Sequence, residues 1–209
     1  MCRLIVLLGL GVQLLLATSS NAAVVIDFDS VDSSSAPAPI ESPPYFEDGF
    51  ELDVSTDAFR SLLLGDDSYT GSTAFYANIP SATVTIANSS GFEFAFNSID
   101  LARLNVNQLG GFSVQFRGFN GLTEVANQTV TIAAVGSVPS SNELETFAFN
   151  PDFDAVTSVS WVRTAGNAFQ FDNVQVVAVP EPTSLAFCAF GAGVLGTRRA
   201  RRRFFAPKN

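Results

Sequence analysis

Apolar residues in the middle of the chain recur at every second position. Phe92, Phe94 and Phe96 alternate with small or polar residues, as do Phe112, Val114 and Phe116, then Phe147 and Phe149, then Phe169 and Phe171. Past the polar pair Asp172-Asn173 the pattern resumes at Val174 and Val176. A period of two gives each segment one apolar and one polar face, as in a half-buried antiparallel strand. The pattern predicts strands over residues 24–29, 50–54, 60–64, 73–78, 82–87, 92–96, 98–105, 112–119, 123–131, 144–149, 155–162 and 169–177. Turn residues separate them, and Asn120-Gly121 between two alternating runs is the clearest hairpin signal. Residues 31–44, rich in Ser, Pro and Ala, read as a loop or arm. No segment of this region carries a capped 3.6-residue period. Many short strands at this spacing predict an all-β, two-sheet β-sandwich of the jelly-roll kind.

Both ends depart from that pattern. Residues 1–22 open with Arg3, continue in a Leu-rich apolar run and close on Ser20-Asn21-Ala22. This predicts a signal peptide cut after Ala22, with Ala23 the next choice and an uncleaved anchor the alternative. The apolar run is shorter than the ~20 residues a spanning helix needs. At the other end, residues 179–209 read Val179-Pro180-Glu181-Pro182, an apolar run over 183–197, and then Arg198, Arg199, Arg201, Arg202 and Arg203. A segment of that length spans a bilayer only with local thinning or snorkelling, and its basic flank stays on the cytoplasmic side. The chain between, residues 23–178, is one domain, large enough for a core.

Charge separates along the same boundaries. The chain has a formal net charge of −9. Residues 23–178 hold only Arg60, Arg103, Arg117 and Arg163 against nineteen of its 20 carboxylates, so four positive charges meet nineteen negative ones and leave fifteen uncompensated. Such a field disfavours nucleic acid and anionic lipid, and suits a soluble surface, a cation or a neutral partner. The two cysteines, Cys2 and Cys188, lie outside the domain, which therefore has neither disulfide nor thiol chemistry.

Candidate chemistry is narrowed mostly by exclusion. The chain contains no histidine. Ser-His-Asp catalysis and His-ligated zinc are thus absent, and no Gly-rich loop precedes a helix to hold phosphate. Carboxylate pairs for glycoside hydrolysis arise by chance among so many acids. One acidic set has a spatial argument. First and last strands of a jelly roll commonly pair, which would bring Asp27 and Asp29, on one face of the first strand opposite Phe28, near Asp172 in the last. Oxygen ligands at strand edges suit calcium, which takes 6–8 of them. The set Asp27, Asp29 and Asp172 is therefore a candidate structural Ca²⁺ site, with solvated strand-face acids the alternative. The stacking aromatics with polar edges that glycan platforms favour are few. Trp161 in a strand, and Tyr69 and Tyr76 flanking a Gly-Ser-Thr turn, are the glycan-binding candidates, with core packing the competing role for Trp161.

The tail, with Pro-Glu-Pro, apolar run and Arg cluster in order, resembles the PEP-CTERM sorting signal of exosortase-bearing Gram-negative bacteria. That resemblance implies recognition of Pro180-Glu181-Pro182 by exosortase, a membrane protease-transpeptidase. It further implies transient anchoring by residues 183–197. Residues 204–209 extend past the usual end of such tails. The domain resembles the galactose-binding-like jelly-roll modules often joined to this signal, through Ile26-Asp27-Phe28-Asp29, Phe96-Asn97-Ser98-Ile99-Asp100-Leu101 and Phe171-Asp172-Asn173-Val174. The expectation is a non-catalytic protein exported through the inner membrane with signal peptidase and exosortase as processing partners. It would reside at the cell surface, in the outer envelope or in extracellular polysaccharide. A carbohydrate-binding module with a defined glycan site is the second reading, and a glycosidase the third.

Overall fold

Alternating phenylalanines need a second apolar layer to cover them, and the chain supplies it by closing two sheets face to face. The computed structural model describes residues 23–31, 40–55, 58–62, 64–77, 79, 81–105, 107, 109–134 and 143–179. The predicted signal peptide, the Pro180-Glu181-Pro182 motif, the expected membrane segment 183–197 and the Arg cluster lie outside the described residues. Thirteen strands form two antiparallel sheets, and the described residues include no α-helix. The strands are β1 (Ala23–Ile26), β2 (Ile40–Glu41), β3 (Tyr45–Glu47), β4 (Phe50–Val54), β5 (Phe59–Leu62), β6 (Ala74–Ala77) and β7 (Val84–Asn88). They continue with β8 (Phe94–Arg103), β9 (Phe112–Asn120), β10 (Thr123–Ile132), β11 (Glu145–Ala148), β12 (Ser158–Gly166) and β13 (Phe169–Ala178).

One sheet runs β11-β8-β13-β6-β5-β2, with β1 also on β13; the other runs β10-β9-β12-β7-β4-β3. From β7 onward, apart from the β9–β10 hairpin, each connection crosses from one sheet to the other, as in a jelly roll. The expected pairing of first and last strands is present: Ala23 lies opposite Val177 and Ile26 opposite Val174. The β9–β10 hairpin forms with Asn120 paired to Thr123. Gly121, at φ +59°, takes the first central position of its two-residue turn, where a positive φ favours glycine.

Apart from Phe92, which is exposed ahead of β8, the phenylalanine stripes face inward. Phe28, Phe59, Phe75 and Phe171 form one aromatic group, with Phe28 stacked on Phe75 at 4.2 Å. Phe96, Phe116, Phe149 and Phe153 form another, and Trp161 joins them by stacking on Phe116 at 5.8 Å and meeting Phe171 edge-on at 5.3 Å. Burying each such ring contributes about 1.5–3 kcal/mol, more than the ~0.5–1.5 kcal/mol that ring geometry adds per pair.

Two features differ from the sequence expectation. Residues 40–41, expected as part of the arm, and residues 45–47, left outside every expected strand, are short edge strands. The prolines around them (Pro39, Pro43, Pro44) hide the alternation, and proline is tolerated at such edges. The segments 92–96 and 98–105, expected as separate strands, are one strand β8. Its inward positions shift phase between Phe96 and Ile99, where β13 bulges between Asp172 and Gln175. That bulge, with Asn173 at φ +47°, shapes the site described next.

Candidate functional site: an acidic pocket beneath the 64–73 loop

Phe171 points into the core, so its strand neighbours Gln170 and Asp172 point to the outer face of their sheet. Both are nevertheless fully buried, with 0% exposure. The cover is the connection between β5 and β6. Gln170 Nε2 donates to the Ser68 carbonyl at 3.0 Å, and the Ser72 hydroxyl donates to Asp172 Oδ2. A buried anion is costly unless its oxygens are satisfied, and here the protein supplies several donors. The Asn173 backbone N–H donates to Asp172 Oδ1 at 2.7 Å. Asn173 Nδ2 donates to Asp100 Oδ2 at 2.9 Å, and Thr146 Oγ1 donates to Asp100 Oδ1 at 2.6 Å. The Thr73 N–H reaches Asp29 Oδ1 at 3.4 Å.

Three carboxylates therefore share this place: Asp172 at the centre, with Asp29 and Asp100 near it. Burial pushes the pKa of Asp172 up to about 7, and Asp100 and Asp29 add to the rise against the pull of Ser72 and Asn173. Two oxygens at the same loop, Gln170 Oε1 and Thr70 Oγ1, are buried without a hydrogen-bond partner. Among the described residues, no group of three or more His, Cys, Asp or Glu side chains is placed to hold a metal ion.

Asp27 does not join this group as expected. The first strand ends at Ile26, and Phe28 takes φ +56°, so the alternation that would align Asp27 with Asp29 is broken. Such a backbone costs a bulky residue about 1–2 kcal/mol, and the buried ring of Phe28 offsets it. Asp27 Oδ1 accepts the Asp29 N–H at 3.1 Å, and its carboxyl lies against Glu47. The Glu47 carboxylate accepts from Tyr45 Oη at 2.9 Å and from the Phe28 N–H at 3.2 Å. Burial raises the pKa of Glu47, with Asp27 adding to the rise.

Trp161 is not available to a glycan. It is 1% exposed, packed between Phe116 and Phe171, and its Nε1 has no hydrogen-bond partner. Val159 and Trp161 both face inward, so the apolar face of β12, not a surface platform, holds the indole. Tyr76 lies on the outer face of β6, directly across from Arg60 on β5. Burial raises the Tyr76 pKa, partly offset by the Arg60 guanidinium that hydrogen-bonds it. Arg60 Nε is itself buried without a partner. Tyr69 sits in the covering loop with its N–H on the Asp66 carbonyl at 3.1 Å. The loop thus brings Tyr69, Tyr76 and the acidic pocket to one face.

Asp100, Ser72, Asn173 and Arg60 were not expected as site residues, although Asp100 and Asn173 lie in motifs that carry the jelly-roll resemblance. Only the polar interruption Asp172-Asn173 in an apolar strand hinted at the bulge. The small cleft lined by Ala77, Ala82, Val84, Ala168, Phe169 and Phe171 has no side chain able to transfer a proton or hold an ion.

The geometry defines a two-sheet sandwich with an acidic, loop-covered outer face. No family model matches the chain, and no curated protein matches it. Among solved structures, a DUF4465 family protein from Bacteroides caccae is similar over 76% of this chain and 100% of its own, at 12% identity and a TM-score of 0.47. A variant of the carbohydrate-binding module CBM29-2 is similar over 77% and 99%, at 14% identity and a TM-score of 0.39. The Stig cyclase Fisc from Fischerella sp. TAU is similar over 76% and 99%, at 13% identity and a TM-score of 0.41. None of these brings a ligand or a site residue to this chain.

Proposed function

We propose that this is a non-catalytic exported protein, delivered by signal peptidase and exosortase and held at the cell surface, in the outer envelope or in extracellular polysaccharide. One observation carries the reading: strand β13 completes its pairing at Ala178, and Val179-Pro180-Glu181-Pro182 follows at once. The sorting-like motif therefore begins one residue past the last strand of the sheet. The lack of histidine and of thiols in the domain agrees with a non-catalytic role. Expression beside an exosortase tests the reading, with loss of the tail expected and an intact tail contradicting it.

A structural calcium ion is part of this proposal. Asp172 and Asp29, with Asp100 in place of Asp27, would supply carboxylate oxygens. The Ser72 hydroxyl, which already meets Asp172, would add a neutral oxygen, the mixture that calcium accepts.

Glycan binding is the second reading, favoured by Tyr76 and Tyr69, half-buried on the loop-covered face. A tyrosine ring can pack on a sugar face while its hydroxyl hydrogen-bonds the sugar. A glycan array tests it: specific binding lost in Tyr76→Ala supports it, and a blank array removes it.

A further inference from the structure

The antiparallel pairing of β1 with β13 has a geometric consequence. Ala23, where the mature chain is expected to begin, lies opposite Val177. Ala23 and Val179, the two described ends of the domain, therefore lie at the same end of the sandwich. The Val179 N–H bonds the Glu93 carbonyl at 3.0 Å, which fixes the tail exit beside Phe92. Asn120 Nδ2 donates to Glu93 Oε1 at 2.6 Å, which brings the β9–β10 hairpin tip to that same place.

This end carries exposed apolar side chains. Leu122 at the hairpin tip is 102% exposed, Phe92 is 47% exposed, and Val125 projects at a register shift of β10. Leu109 is also exposed, but it lies in the connection from β8 to β9 at the opposite end. A strand of the length of β8 places it roughly 30 Å away.

We infer that this end of the sandwich docks on a phospholipid bilayer surface while the tail is uncut. The inference rests on the proposed reading of residues 183–197 as the anchoring segment. Val179 and Thr183 are four residues apart in the chain, so even a fully extended connection holds the domain within about 14 Å of the segment's start. At that distance Leu122 and Phe92 reach the headgroup boundary, and burying them there offsets their exposure to water. Glu93 and Glu124 flank the same end, and the exposed Asp152 and Asp154 lie close by, just before Val156, which bridges Phe94, so the contact favours zwitterionic over anionic lipid.

The test uses the full chain carrying Cys2→Ser and Cys188→Ser, reconstituted in phosphatidylcholine vesicles. An environment-sensitive fluorophore is placed at Leu122→Cys, Phe92→Cys or Leu109→Cys. All three positions are exposed, and equal melting temperatures check that the fold is retained. The expected result is blue-shifted emission and quenching by spin-labelled lipid at Leu122 and Phe92, with water-like emission at Leu109. A chain that floats with vesicles but gives water-like emission at Leu122 overturns the inference and leaves the tail reading standing. Failure to float removes both. Shielding of Leu122 that grows with protein concentration without lipid assigns the face to a second copy and also overturns it.

Discussion

Calcium removal offers the sharpest test of the acidic pocket. Asp172 is fully buried, with Asp29 and Asp100 beside it, and burial pushes its pKa up to about 7, so its charged form is disfavoured in a way that a bound cation would relieve. A ligand that binds only the folded state, present at about a hundred times its dissociation constant, adds about 2.7 kcal/mol. For a domain of this size each kcal/mol moves the melting temperature by roughly 2–4 °C. Calcium at saturation should therefore raise the melting temperature by about 5–10 °C over EDTA, read by circular dichroism in the far-ultraviolet strand band. Asp172→Asn keeps the shape and an acceptor for the Asn173 N–H but removes the buried charge. In EDTA it should melt no lower than the wild type, and calcium should no longer shift it. Equal melting of the wild type with calcium and with EDTA would refute the site. So would an Asp172→Asn variant that melts far lower in EDTA, because the carboxylate would then be stabilising on its own.

Other outcomes follow from packing and from the loop. Trp161→Ala should cost about 3–5 kcal/mol in urea unfolding, as expected for a large core aromatic, and any effect on ligand binding should track that loss. A selective effect of Trp161→Ala on binding, without destabilisation, would contradict its core placement. Gly118→Val should destabilise by about 1–3 kcal/mol or more, because even a Cβ there would stand 2.8 Å from Val156 Cγ1 and 3.2 Å from Phe153 Cδ1. Thermal melts that match the wild type would show that the sheet can shift locally. If a glycan binds, Tyr76→Ala should abolish the array signal at unchanged fold stability. Phe46→Ala, on β3 of the other sheet, should bind as the wild type does, and equal losses from both variants would place the glycan elsewhere.

Much of the sandwich is legible because phenylalanine at period two has one physical solution, a sheet face turned inward. Phe112, Val114 and Phe116 face the core as their alternation predicts. The pairing of β1 with β13 also follows from the jelly-roll expectation. The site is less legible because it depends on departures from that period. Phe28 and Asn173 both take positive φ, and neither residue type announces it as glycine would. Those two positions turn Asp27 toward Glu47 and set Asp172 beneath Ser72. Asp100 looks like any outward residue of β8 until β11 and Asn173 approach it. Trp161 is ambiguous in sequence because a strand tryptophan can face either way, and only its neighbours Phe116 and Phe171 fix it.

The proposed export route rests on the tail, and mass spectrometry of the mature protein tests it most directly. The chain would be expressed in a host with an intact exosortase and in the same host lacking it. The account predicts a product that begins at Ala23 and has lost the apolar segment and the arginines in the first host, and one that retains residues 183–203 in the second. An intact tail in both hosts, or its loss in both, would contradict the account.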